Sequence, residues 1–169
     1  PQQPYYENAL DDQYVTWRSD QSIFSNWHWK EKNNFQLIAA HNYYRREKNT
    51  FAIDLTTLDQ QLSGDPNNHD TTQLHVGMTR GAYSFNSLKW FRIETGFHFK
   101  HEWINGQRFA ETEQQGDYAV FASAEIDLWK QLTLRPGLRY GYNTAYNAPV
   151  TPSFNIKWGK DNWSIRGSY

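Results

Sequence analysis

The sequence predicts an all-β fold of antiparallel, up-and-down strands that cross a bilayer as part of a transmembrane β-barrel. Three observations predict it. Apolar and polar residues alternate with period two over segments of about ten residues, short and long connections alternate between those segments, and tryptophan and tyrosine collect at opposite strand ends. The composition does not suit a compact soluble core. Of 169 residues, 17% are Phe, Trp or Tyr and only 38% are hydrophobic in all, with a mean hydropathy of -0.90, whereas soluble cores are built mainly from Leu, Ile and Val.

The clearest strand is 132–142, where Leu132, Leu134, Pro136, Leu138, Tyr140 and Tyr142 alternate with Thr133, Arg135, Gly137, Arg139 and Gly141. Before it, 118–128 sets Tyr118, Val120, Ala122, Ala124, Ile126 and Leu128 against Ser123, Glu125 and Asp127. The alanines of 118–128 also suit a helix, but the short Trp129–Gln131 link to a strand favours a hairpin. One register satisfies both faces: Ile126 opposite Leu134, Val120 opposite Tyr140, and Glu125 meeting Arg135. A last hairpin around 159–162 is expected to pair Trp158 with Trp163, Ile156 with Ile165, and Phe154 with Gly167, a ring over bare backbone.

Noisier strands are expected near 20–31, 33–46, 71–84 and 89–101, for about eight in total, each the length that a tilted strand needs to span a bilayer. Short turns are expected near 32–34, 85–88, 129–131 and 159–162, and long polar loops near 47–70, 102–116 and 145–150. Short turns on one rim and long loops on the other match a bacterial outer-membrane barrel, with the 129 and 159 turns on the periplasmic side.

Six of the eight tryptophans, Trp27, Trp29, Trp90, Trp129, Trp158 and Trp163, lie near proposed short turns. Tyr43, Tyr44, Tyr118, Tyr140, Tyr142 and Tyr146 lie beside the long loops. Amphipathic rings prefer the headgroup zone, so two aromatic belts are expected. Strand propensity alone explains the abundance of rings but not their segregation to strand ends. The opposite face carries Arg92, Glu94, His98, Glu125, Asp127, Arg135 and Arg139, which a barrel would turn toward a hydrated or plugged lumen.

Several classes are excluded or disfavoured. There is no cysteine for a disulfide framework or thiolate metal site, and no apolar run long enough for a membrane helix. A formal charge of -1 with mixed signs gives no nucleic-acid footprint. No Gly-rich phosphate loop, Gly-x-Ser-x-Gly elbow or His-Glu-x-x-His helix is present, so neither catalysis nor a bound cofactor is expected.

The C-terminal third resembles TonB-dependent receptors, particularly those of Bacteroidetes-like bacteria. The resemblance is carried by Asp117-Tyr118-Ala119-Val120-Phe121-Ala122, by LTLRPGLRYGY from Leu132 to Tyr142, by Asn143-Thr144-Ala145-Tyr146, by Thr151-Pro152-Ser153-Phe154-Asn155, and by SIRGSY from Ser164 to Tyr169. Residues 1–116 share only the family's general texture, as in Tyr43-Tyr44-Arg45-Arg46 before a long loop. The resemblance implies a barrel of about 22 strands closed by an N-terminal plug. It also implies an energising TonB-type partner acting through that plug, and import of a chelated iron (siderophore), haem, cobalamin or glycan ligand across the Gram-negative outer membrane. Residues 1–169 are then a partial barrel domain without the plug, an arc in contact with outer-membrane lipid.

Two rival readings stand beside this one: a complete eight-stranded barrel, and a soluble carbohydrate-binding β-sandwich with exposed Trp and Tyr platforms. Ligand contacts are expected on the loops, with Phe51, Trp103 and Phe109 available for stacking. His75 and His98 are candidates for haem or metal contact, facing each other if their hairpin turns near Asn86 and Ser87. Polar lumen decoration is the plainer role for them, and structural pairing the plainer role for Glu125 and Arg135.

Overall fold

A computed structural model describes residues 7–29, 32–86, 88–160 and 163–169. Among these residues nine strands form: β1 Asn8–Trp29, β2 Asn33–Asp54, β3 Gln60–Leu62, β4 Asp70–Phe85, β5 Phe91–Gly106, β6 Glu113–Trp129, β7 Leu132–Asn143, β8 Thr151–Lys160 and β9 Trp163–Ser168. They make one sheet in the order β1-β2-β4-β5-β6-β7-β8-β9, with β3 paired to β2. Eight strands follow the expected hairpin succession, and short β3 is an addition. β1 and β9 are the two ends of the order, so among the described residues the sheet is open and the closed eight-stranded alternative is not formed.

The expected β6–β7 register is observed, with Ile126 opposite Leu134 and Val120 opposite Tyr140, and a shift occurs only between Asp127 and Trp129. β8–β9 differs. Its partners are Trp158 with Ile165, Ile156 with Gly167 and Lys160 with Trp163, two positions from the expected pairing. The ladder continues to Lys160 and Trp163 instead of stopping at Trp158, leaving only 161 and 162 between the strands, outside the described residues. A two-residue shift preserves the faces. Gly167 is therefore covered by Ile156 rather than Phe154, and the two tryptophans still meet edge-to-face, their centroids 4.9 Å apart.

The loop expected at 145–150 lies between β7 and β8 as expected, whereas the other two long loops are shorter than expected because the strands continue into them. β2 runs to Asp54 and β5 to Gly106, so the two expected loops shrink to the segments around β3 and to 107–112. β1 and β2 have 22 residues each, about twice what a tilted membrane strand requires. The turns at 32–34, 85–88 and 159–162 are only partly visible, since residues 30, 31, 87, 161 and 162 lie outside the described set.

Two compact units share these strands. One comprises residues 1–20, 42–75 and 103–114, and the other 21–41, 76–102 and 115–169. In the second unit, Tyr118, Val120, Ala122 and Ile126 align across β6–β7 with Tyr142, Tyr140, Leu138 and Leu134, and the apolar row continues on β8 through Pro152, Phe154, Ile156 and Trp158. This face is open. Tyr140, Ile165 and Trp129 are 56%, 59% and 71% exposed, and Ala119 is the one buried hydrophobic residue among those described. Burial is thus inverted relative to a soluble sandwich, as a sheet solvated by hydrocarbon requires.

Glycines in this unit let strands take rings onto their backbone. A Cβ at Gly96 would meet the Gly81 carbonyl oxygen and lie 2.6 Å from Phe121 Cζ. Overpacking of this kind typically costs about 1–3 kcal/mol. Gly96→Ala is expected to destabilise the barrel by about that amount, measured as a lower urea midpoint in detergent. An unchanged midpoint would show that both the Gly81 backbone and Phe121 give way freely.

Candidate functional site

The first unit contains four of the five residues expected to contact ligand. Its base is a polar knot: the Thr50 hydroxyl lies 2.6 Å from Asp12 Oδ1 and 2.5 Å from the Asn68 carbonyl, and Lys48 Nζ is 3.0 Å from Asp12. His69 Nε2 is 2.8 Å from the Ser63 carbonyl, while Nδ1 accepts the Thr50 N–H at 3.4 Å. Both contacts fit one neutral tautomer, with the proton on Nε2. These bonds anchor the 63–69 segment to β2 and fix the rim on which any loop site stands.

On β2, β4 and β5, Tyr43 lies 4.7 Å from His75 and His75 stacks on Trp103 at 5.0 Å with an interplanar angle of 4°. His75 is therefore not set against His98. A turn at 86–87 would have placed them together, but β5 begins only at Phe91. The stack sets His75 beside Trp103, and Trp103 and His98, five residues apart on β5, fall on opposite faces: His98 shares its face with Arg92, Glu94 and Lys100, and Trp103 shares its face with Phe97 and Phe99. His98 Nε2 is enclosed without a hydrogen-bond partner among the described residues.

The structure does not gather the remaining ring candidates with this stack. Phe51 lies opposite Leu62 on the β2–β3 ladder. Phe109 occupies the 107–112 tip, its N–H donating to the Gly106 carbonyl at 3.0 Å. Two cation–π pairs on the same unit were not anticipated: Arg45 over Trp17 at 5.3 Å and Arg46 over Tyr14 at 4.5 Å. The Tyr43-Tyr44-Arg45-Arg46 run held the arginines, but its partners lie on β1, in a segment that showed no strand pattern.

The Asp54 carboxylate accepts the N–H groups of Thr56 at 2.7 Å and Thr57 at 3.1 Å. These backbone bonds hold its pKa below the ordinary 3.8. Next to them Leu58 adopts φ 62°.

The second unit presents a charged face. Arg92 holds Glu125 and, at 2.9 Å, Asp127, and Thr133 donates to Asp127 at 2.7 Å. Arg135 reaches Glu94 at 3.7 Å. The expected Glu125–Arg135 pair is thus replaced, although both residues sit on the expected face. Arg92 on β5 approaches Glu125 from the opposite side of β6, and one guanidinium serves two carboxylates.

A family model described as TonB dependent receptor-like, beta-barrel, matches residues 1–169. The chain belongs to that family. Among solved structures, a mutant of the ferric enterobactin receptor PfeA from Pseudomonas aeruginosa aligns with a TM-score of 0.69 and 16% identity, over 92% of this chain and 25% of that one. The siderophore receptor PirA of the same organism gives 0.55 and 12%, over 90% and 34%. The FrpB iron transporter of Neisseria meningitidis gives 0.52 and 13%, over 96% and 33%. At these identities the likeness shows the fold, and this chain spans a quarter to a third of the length of those proteins. No curated protein matches the sequence.

Two outcomes follow for the first unit. Trp103→Ala is expected to remove the stack on His75, costing about 0.5–1.5 kcal/mol beyond lost area in detergent unfolding, with Trp103→Phe recovering part of it. For Asp54, a depressed folded-state pKa means that its contribution is complete above pH 3.8 and is lost as pH falls through the folded value. Hydrogen-exchange protection at Thr56 and Thr57 should fall over that window, and Asp54→Ala should abolish the pH dependence.

Proposed function

We propose that this chain is an arc of the wall of an outer-membrane, TonB-dependent transporter of a Gram-negative bacterium, and that the whole receptor imports chelated iron. Residues 1–169 are then a partial barrel domain, with a plug elsewhere in a longer polypeptide through which a TonB-type protein supplies energy. The single observation that carries this is the open two-faced sheet: an exposed apolar face rich in rings, backed by a charged face, in a chain that matches the family from end to end. The similar structures, a ferric enterobactin receptor, a siderophore receptor and an iron transporter, favour a ferric siderophore over haem, cobalamin or a glycan.

For ligand contact, Phe109 at its tip and Phe51 on the β2–β3 ladder are the better candidates, because both stand near loop ends. His75 and Trp103 each give a ring face to the other, which weakens their case. His98 lies on the charged face, with its Nε2 enclosed and without a hydrogen-bond partner among the described residues.

Deletion of the receptor gene is expected to abolish growth on one ferric siderophore as sole iron source, and Phe109→Ala to weaken uptake of that chelate. Unchanged growth on every ferric siderophore, with loss of growth on haem or a glycan, would overturn the substrate class. Cysteine labelling checks the faces. Replacements at Leu138 and Ile156 should react with lipid-soluble reagents, and replacements at Ser153 and Asn155 with water-soluble ones; the reverse pattern would overturn the barrel reading.

A further inference from the structure

The apolar face of the second unit is interrupted at one place, well inside the sheet. Beside Tyr118, which stacks on Tyr142 with centroids 6.3 Å apart, the rings give way to a groove of about 480 Å³. Ala39 on β2 and Gly77 and Thr79 on β4 form its floor. Phe99 on β5 and Tyr118 on β6 make one wall, and Ile23 on β1 the other. All of them belong to one compact unit. Phe99 meets Tyr118 edge-on at 6.0 Å, so that wall is two rings deep. The volume falls within the range of roughly 300–1,000 Å³ usual for small-ligand sites.

The groove is polar at one end only. His41 follows Ala39 on β2, His101 follows Phe99 on β5, and Gln21 precedes Ile23 on β1, and all three polar residues line the same groove. β1 and β2 meet at the short link after Trp29, and β5 leads to the 107–112 tip, so each polar side chain lies two positions farther from the short turns than its apolar neighbour. The Tyr118 hydroxyl lies 2.9 Å from His101 Nδ1 and holds that imidazole in place. An apolar trough with hydrogen-bonding groups toward the outer rim has the polarity of an outer-leaflet lipid, tail inward and head outward.

Hydrocarbon gives an acyl chain little reason to prefer one apolar surface to another, so retention depends on close packing and on hydrogen bonds. The trough supplies the first and the His41, His101 and Gln21 end the second. Charge decides the class of lipid. Among the described lining residues Lys100 is the one lysine or arginine, and it points to the other face, 2.6 Å from Glu102. A multiply phosphorylated glycolipid calls for several cations, whereas a head with a single phosphate can be met by neutral donors.

We propose that this groove binds one glycerophospholipid molecule, with an acyl chain over Ala39, Gly77 and Thr79 and its phosphate-ester head hydrogen-bonded at His41 and His101. The proposal rests on the reading of the ring-rich face as lipid-facing.

The test uses the full-length receptor, delipidated in mild detergent and titrated with dioleoylphosphatidylethanolamine under native mass spectrometry. The expected result is saturable binding of one lipid per receptor at low lipid concentration. Thr79→Trp, which fills the trough, should weaken it by about tenfold or more, and Leu138→Trp, elsewhere on the same apolar face, should leave it unchanged. Should Thr79→Trp fail to assemble, His41→Leu keeps the bulk, removes the donor and should weaken binding likewise. Binding that does not saturate, or that Leu138→Trp reduces as much as Thr79→Trp, reflects a general lipid layer and overturns the proposal; so does lipid A displacing the phospholipid as the retained species. The cysteine-labelling pattern separates the two failures: with the faces as expected and no saturable lipid, the groove idea falls and the barrel reading stands.

Discussion

The ladder of backbone hydrogen bonds is the constraint on which the rest of this structure depends. In hydrocarbon, a strand's N–H and C=O groups have no water to turn to, so each must be satisfied by a neighbouring strand. Pairing must therefore continue across the whole membrane thickness, and register cannot drift, because a one-residue slip would turn Arg135 and Arg139 toward lipid. The observed pairs keep one parity from β6 through β9, interrupted only at the shift between Asp127 and Trp129, where β6 reaches its turn. A bulge there costs little, since a strand end at the headgroup level has water available for the unpaired groups.

Given the ladder, the two faces divide the remaining work. In a soluble sandwich the apolar face would be buried; here Ala119 is the lone buried hydrophobic residue described, and rings such as Tyr140 and Trp129 stand open. Cohesion within the second unit comes instead from the ladder, from rings lying over glycine backbone at Gly81 and Gly96, and from the Arg92 network. The side chains of that network are 31–41% exposed, so each ion pair is screened and adds little to stability by itself. Its stronger effect is on arrangement. By binding two carboxylates of β6, Arg92 ties β5 to one register, and it leaves Arg135 for Glu94.

How much of this was legible in the sequence depended on whether local alternation or long-range choice decided the outcome. Both faces of β6 and β7 could be read directly, because period-two patterning and a short link leave one consistent register. The β8–β9 register was missed by two positions because both candidate registers keep the same faces, and alternation does not distinguish them. At β4–β5 the strands end at Phe85 and resume at Phe91, a longer connection than the turn that sequence pointed to, and His75 lies against Trp103 rather than His98. The Glu125–Arg135 pairing follows from β6 and β7 alone. A third strand, β5, supplied a competing arginine, and which strand lies on the far side is not encoded in local spacing.

The outer ends of β1 and β2 raise a different question, because at 22 residues they run well past the ten or so needed to cross a bilayer. Beyond the membrane the ladder alone is a weaker device, since water competes for every backbone group. The first unit accordingly carries contacts of another kind: Thr50 bridging Asp12 and Asn68, His69 tying Ser63 to Thr50, Arg45 and Arg46 lying on Trp17 and Tyr14, and Tyr43, His75 and Trp103 in a row. Each is a side-chain contact that water can substitute only in part. They join β1, β2, β4 and β5 beside the short tips at 55–59 and 107–112. A ligand site borne on such tips loses less entropy on binding than one borne on long free loops, which is a physical reason for strand to replace loop where the sequence pattern had promised loop.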